Sequence, residues 1–190
     1  MNRTLAALTM SLAAFSVAPA LAQTAKGPSN VVSPQPLPID DSRPRVFLGG
    51  SIDMGGAPDW QAAMTSALAD MDVVILNPRR PDWNPNWRPE ADEPEFRRQV
   101  EWELAALESA DVIVMYFAPG TQSPISLLEM GLHARGGKLI VLAPEGFWRK
   151  GNVDITAQAY GVKQVQNLPE LTAAVREALS DAASKGRFAR

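Results

Sequence analysis

The sequence predicts a three-layer α/β fold, with a five-stranded parallel sheet in flavodoxin-like order 2-1-3-4-5 and helices on both faces. Two observations carry this. From Arg45 onward, apolar runs of strand length alternate with segments of helical periodicity. The strand runs are near-continuously apolar, as sheets covered on both faces require.

Each element follows from its residues. Arg45–Leu48 (RVFL) is a short strand closed by Gly49-Gly50-Ser51. Asp59–Asp70 has helical spacing, with Pro58 or Asp59 near its start. Asp72–Leu76 (DVVIL) is the second strand, stopped by Asn77-Pro78. A long loop, RRPDWNPNWRPEADEP, precedes a helix over Glu95–Ser109. Asp111–Phe117 (DVIVMYF) is the third strand. Ser123 then reads as an N-cap and Pro124 as the first residue of a helix reaching Arg135. Lys138–Ala143 is the fourth strand, and the loop PEGFWRKGNVD leads to a short helix near Ile155–Tyr160. Val162–Gln166 is a weak edge strand, and Leu168–Ser184 a closing helix. In this order the ligand crevice lies at the carboxyl ends of strands one and three, where GGSIDMGG and APGTQSPIS follow.

The chain start reads differently. Met1-Asn2-Arg3 gives a short positive lead, Leu5–Pro19 an apolar run, and Ala20-Leu21-Ala22 a small-residue cleavage pattern. Residues 1–22 therefore read as a signal peptide, and the mature chain is expected to be exported, periplasmic or secreted, and free of the membrane. Residues 23–44 hold five prolines among Ser, Gln and Asp, and read as an extended Pro-rich linker to a domain over 45–185. The chain has no cysteine, so an exported form draws its stability from its core rather than from disulfides. A net charge of -3 with no polybasic face argues against polymeric nucleic acid as a partner. No His, Cys and carboxylate cluster has metal-ligand spacing, so neither metal nor other cofactor is implied.

Two carboxylates break the helical patterns. On a helical wheel, Phe96, Val100, Leu104 and Leu107 form one stripe, and Glu103 falls within it with Gln99 at its border. Glu129 shares a face with Ile125, Leu128 and Leu132. Either glutamate has a plain reading. Glu103 at a stripe edge reaches solvent, and Glu129 profits from the nearby helix N-terminus. Taken together, one acid precedes the third strand and one follows it. A buried carboxylate is costly unless paired or used. Glycosyl transfer needs such a pair: one carboxylate attacks the anomeric carbon and the other handles protons, at roughly 5 Å separation in retaining chemistry.

The ordered set FLGGSIDMGGAPDWQ, NPRRPDWNPNW, EFRRQVEWEL and SPISLLEMGLHA resembles the nucleoside 2-deoxyribosyltransferase-like proteins, over roughly Arg45–Val165. The resemblance implies a Rossmann-like, flavodoxin-type fold. It also implies cleavage or transfer of the N-glycosidic bond of small-molecule (deoxy)nucleosides or nucleotides through a covalent glycosyl-enzyme. The family nucleophile is the Glu of an E-x-G helix, which corresponds to Glu129-Met130-Gly131. The family's second acid, eight residues before the Asp opening the third strand, corresponds to Glu103, where relatives carry Asp. Six residues before the nucleophile stands Ser123. The transferases carry an Asp there that helps handle the base; related nucleotide N-hydrolases carry a Ser that touches the 5′-phosphate. Gly49, Gly50 and Ser51 correspond to a first-loop contact to sugar or phosphate, and Asp53 adds negative charge to that loop. Asn152 corresponds to an Asn that reaches the sugar, often in a neighbouring subunit, and a homo-oligomer is expected on the same ground.

Other residues have two readings each. Trp83 and Trp87 either stack on a base as a lid or pack their loop down. Arg79, beside Arg80, either holds an anionic group or pairs with nearby carboxylates. Asp59 is a helix N-cap or a contact to sugar hydroxyls. The rival to an enzyme is a non-catalytic module that binds a nucleoside or nucleotide. An exported toxin domain acting on a nucleotide pool would share the enzyme's chemistry.

Overall fold

The computed structural model describes residues 27–52 and 57–185. The signal-peptide reading of residues 1–22 and the charge of Asp53 therefore lie outside the described residues. Six parallel strands form one sheet: β1 (Ser29–Val32), β2 (Arg45–Gly50), β3 (Val74–Asn77), β4 (Val112–Tyr116), β5 (Leu139–Leu142) and β6 (Lys163–Val165). The helices are α1 (Trp60–Ala67), α2 (Pro94–Ser109), α3 (Pro124–His133), α4 (Lys150–Tyr160) and α5 (Leu168–Lys185). The sheet order is β1-β3-β2-β4-β5-β6. With β1 set aside, this is the predicted 2-1-3-4-5.

The segment expected to be a linker is instead part of the sheet over Ser29–Val32. β1 runs parallel to β3, with Ser29 opposite Val74 and Val32 opposite Asn77. Val31 and Val32 supply apolar side chains, and the free edge of β3 supplies backbone partners that must be satisfied. The Pro-rich stretch beyond β1 is also strapped down. Nη2 of Arg45 donates to the carbonyls of Pro38, Ile39 and Asp41, and the indole of Trp102 donates to the Gln35 carbonyl at 2.7 Å. Extended, proline-punctuated backbone was legible; its docking was not.

The core lies in two layers, one on each sheet face. On one, Trp60, Met64 and Leu68 of the α1 region join Leu171, Val175 and Leu179 of α5 against Val46, Leu48, Ile75 and Val114. On the other, α2, α3 and α4 cover Phe47, Leu76, Ile113, Met115 and Val141. On this second face the helices sit about a quarter turn from the expected wheel. In α2 the buried residues are Gln99, Trp102, Ala106 and Leu107, while Leu104 is exposed. In α3 they are Ser126, Glu129 and Met130, while Ile125, Leu128 and Leu132 are 58%, 60% and 59% exposed. The expectation that these three aliphatics mark α3's buried face is thus corrected. Position relative to the sheet, fixed by the crossovers before and after α3, overrides the amphipathic stripe. Among the described residues, no helix is long and apolar enough to cross a membrane.

Candidate active site

The two glutamates flank β4. Helix α3 starts where β4 ends, so Glu129 enters the sheet face one and a half turns in. It is 7% exposed. Glu103 comes from α2, which packs beside the carboxyl end of β3, and it is half-buried. One oxygen of Glu103 accepts from Nε2 of Gln99 at 2.8 Å, and that same nitrogen donates to the Pro78 carbonyl at 3.0 Å. Burial pushes Glu103 up to about 7, opposed by the Gln99 hydrogen bond. Burial pushes Glu129 up to about 8, and the charge of Glu103 adds to it. The two acids are thus close enough to feel each other. Both are pushed toward neutrality, where one proton held between two coupled carboxyls would provide an acid and a base.

A hydroxyl cluster lies at the carboxyl ends of β2 and β4. Ser51, at the end of β2, is buried; its Oγ lies 2.7 Å from both Thr121 Oγ1 and Ser123 Oγ and accepts from the Ala118 amide at 2.8 Å. Thr121 donates to the Ala118 carbonyl, so it accepts from its neighbours. Ser123 does occupy the N-cap position of α3, but it does not cap through its side chain: the hydroxyl turns to Ser51 and Thr121 instead. Its backbone is left-handed, with φ 46°. Serine adopts that region at a cost of order 1–3 kcal/mol, a kind of strain that clusters at functional sites.

The first-loop glycines have a packing reason. A Cβ on Gly50, where φ is 128°, would meet the Tyr116 carbonyl oxygen at 2.2 Å, and one on Gly49 would meet the Met115 sulfur at 2.8 Å. Both let β2 approach β4 closely and so bring Ser51 to Thr121 and Ser123.

The remaining candidates are placed as follows. Asp59 caps α1, accepting from the Ala62 amide at 3.0 Å. Its other oxygen lies 3.7 Å from Nε of Arg79, which also reaches the Ala57 carbonyl at 3.3 Å and Gln61 Oε1 at 3.5 Å. Arg80 binds Asp82 through two nitrogens, at 2.7 and 2.8 Å, and stacks on the Trp87 ring. Trp83 and Trp87 meet edge to face at 5.2 Å, both half-buried. The loop is therefore packed on itself. Asn152 is exposed on α4, lining a surface groove of about 300 Å³ between α3 and α4 with Leu127, Met130, Gly131 and Trp148. Neither Glu103 nor Glu129 lines that groove.

Sequence reasoning missed three contributors: Gln99 as a donor to Glu103, Thr121 as a member of the hydroxyl cluster, and the buried Gln61 against Arg79. Gln99 was visible at the stripe border; a polar residue one turn before a buried acid is the signal that would have found it.

Fold and site together define a flavodoxin-like α/β protein with a carboxylate pair at the switch point of its sheet. The nucleoside 2-deoxyribosyltransferase-like family matches residues 43–147, more than half of the sequence, and the chain belongs to that family. No curated protein matches it. Among solved structures, it is similar to a conserved protein from Enterococcus faecalis V583, with a TM-score of 0.53 at 11% identity, covering 72% of this chain and 99% of that one. At that identity the likeness concerns the fold alone.

Proposed function

We propose that the protein cleaves or transfers the N-glycosidic bond of a nucleoside or nucleotide through a glycosyl ester on Glu129. The observation that carries this is the burial of Glu129 within reach of the charge of Glu103, both inside the segment that the family matches. Glu129, which holds its proton more tightly, passes it to Glu103, and the ionised Glu129 then attacks C1′. The C1′–N bond breaks, its electron pair leaves with the base, and Glu103 delivers a proton or holds the sugar. The oxocarbenium-like transition state is stabilised by the carboxylate. Water, or the nitrogen of a second base, then attacks C1′ and frees Glu129. Ser51 and Ser123 face the 5′ end of the sugar, and the Trp83–Trp87 loop and Arg79 border the base.

The test is incubation with nucleosides and 5′-nucleotides, with and without acceptor base, followed by mass spectrometry of the Glu129 peptide. Base release and a glycosylated Glu129 are expected. Absence of both base release and exchange across the panel defeats the reading.

One observation favours a second reading, binding without turnover: burial keeps Glu129 largely protonated at pH 7, which blunts a nucleophile. Thermal stabilisation by a nucleoside, with no product by chromatography, would select it.

We also propose that the outward row of α3 docks a second copy of this chain. Ile125, Leu128 and Leu132 line one face at helical spacing, beside the groove lined by Trp148 and Asn152. Two copies of one helix meet self-complementarily about a two-fold axis. Export through cleavage after Ala22 is likewise a proposal; the mass of the mature protein tests it.

A further inference from the structure

Glu103 is held through a chain of contacts that begins outside the residues the family matches. Ser33 follows β1, and its amide extends the ladder by donating to the Asn77 carbonyl at 3.0 Å. Its hydroxyl donates to Oε1 of Gln99 at 2.5 Å. Nε2 of Gln99 then donates one hydrogen to the Pro78 carbonyl and the other to Glu103. Ser33 and Gln99 are both buried.

A glutamine amide has two senses, and its partners choose between them. Here the choice is forced. The Pro78 carbonyl and the Glu103 carboxylate both need a donor, so they take the nitrogen; the Ser33 hydroxyl takes the oxygen. Turning the amide over would set oxygen against oxygen at two places. Water is kept from the Ser33–Gln99 and Gln99–Pro78 bonds, which are buried. A second contact locks the arm to the same helix: the Trp102 indole donates to Gln35.

We propose that Ser33 and Gln99 are positioning residues for Glu103, and that the N-terminal arm is in this sense part of the active site. The relay anchors one oxygen of the carboxylate and so restrains the other. It also favours the ionised form by donating to it, against burial. Gln99, Pro78 and Ser33 are neutral; the titratable group coupled to Glu103 is Glu129 from α3, whose proton the charge of Glu103 helps to hold. Loss of the Gln99 donor therefore makes Glu103 a weaker acid. Any effect on turnover rests on the function proposed above, but the ionisation of Glu103 can be read without substrate.

The experiment is a pH titration of the full-length protein carrying 13C-labelled glutamate side chains, with the Glu103 carboxyl resonance assigned by its loss in Glu103→Gln. In Gln99→Leu the midpoint should rise by about one pH unit, a tenfold gain in proton affinity. Ser33→Ala should raise it by less, because Pro78 still orients the amide. Ser33→Thr keeps the hydroxyl and should restore the native midpoint. Should Gln99→Leu fail to fold, Ser33→Ala decides the matter. A folded Ser33→Ala or Gln99→Leu with the native midpoint overturns the proposal. With an active substrate in hand, kcat should fall in both variants with little change in KM, and the acid limb of the pH profile should move with the titration. Native protein without turnover defeats the glycosyl reading and leaves this titration valid. Turnover with an unmoved titration defeats the relay alone.

Discussion

Helices α5 and α3 cover opposite faces of one sheet and dispose of their apolar residues in opposite ways. In α5, Leu171, Val175 and Leu179 turn inward and are fully buried. In α3, Ile125, Leu128 and Leu132 turn outward while Glu129 and Ser126 turn in. Burying an aliphatic side chain is worth roughly 1.5–3 kcal/mol, so α3 forgoes several such contributions in the isolated chain. It also carries a carboxyl that burial disfavours in its charged form. The face built by α5 serves stability. The face built by α3 keeps a carboxyl inside and an apolar row outside. Proteins break local consistency at functional sites and compensate elsewhere.

The largest expected effect comes from the inward side of α3. Glu129→Gln should lower kcat/KM for the active nucleoside by about a thousandfold or more, as loss of a nucleophile does. The variant should still fold, since the amide is nearly isosteric with a protonated carboxyl. Full activity in Glu129→Gln, measured by base release, would make α3's inward acid a mere irregularity of packing and dissolve its contrast with α5.

Next in size is a direct exchange between the helices. Leu179→Ala on α5 removes a fully buried side chain and should cost about 2–5 kcal/mol in urea denaturation. The same truncation at Leu128 on α3 should cost within about 0.5 kcal/mol when measured on the monomer. Equal losses at the two positions would mean that α3's aliphatics are covered within one chain.

The sheet was legible because its four central strands, β2 to β5, are apolar runs bounded by Gly, Pro or Asp, and such runs permit few alternatives. The edge strand Ser29–Val32 was hidden by its setting among prolines. It has too few apolar residues to announce itself and depends on β3's free edge for its partners. The carboxylate pair was legible for a partly mistaken reason. Glu103 and Glu129 stood out on stripes taken to face the core. The true inward faces lie about a quarter turn away, and both glutamates sit where the two readings overlap. Helical spacing fixes which residues share a face, but which face meets the sheet is decided by the crossovers. The hydroxyl cluster was invisible for a related reason: Ser51 and Thr121 are 70 residues apart and meet only because β2 and β4 are neighbours.

The outward side of α3 yields the third expectation. Leu132→Glu should convert a dimer or larger assembly to monomer, read by light scattering on a size-exclusion column. A charge placed in an apolar contact loses its hydration without gaining a partner. A native protein that is monomeric at high concentration would show that α3's exposed row serves no self-association, and the contrast with α5 would then concern the carboxylate alone.

The last effect tests the cost of keeping Glu129 inside. Its ordinary value is near 4.5, and in the fold it is pushed up to about 8. Between those values the folded state holds a proton that the unfolded chain releases, so stability falls as pH rises through the window. Below about 4.5 the group is protonated in both states and the cost vanishes; above about 8 it is paid in full. Glu129→Gln removes the titration. The variant should melt close to the native protein at pH 4.5 and above it at pH 8.5, by about 2–4 °C for each kcal/mol relieved in a chain of this size. Differential scanning calorimetry at the two pH values reads the difference. Helix α5 provides the internal control, because Val175→Ala carries no titrating group and its loss should be the same at both. A Glu129→Gln gain that is equally independent of pH would mean that the carboxyl is not desolvated, and the inward half of α3 would lose the property that sets it apart from α5.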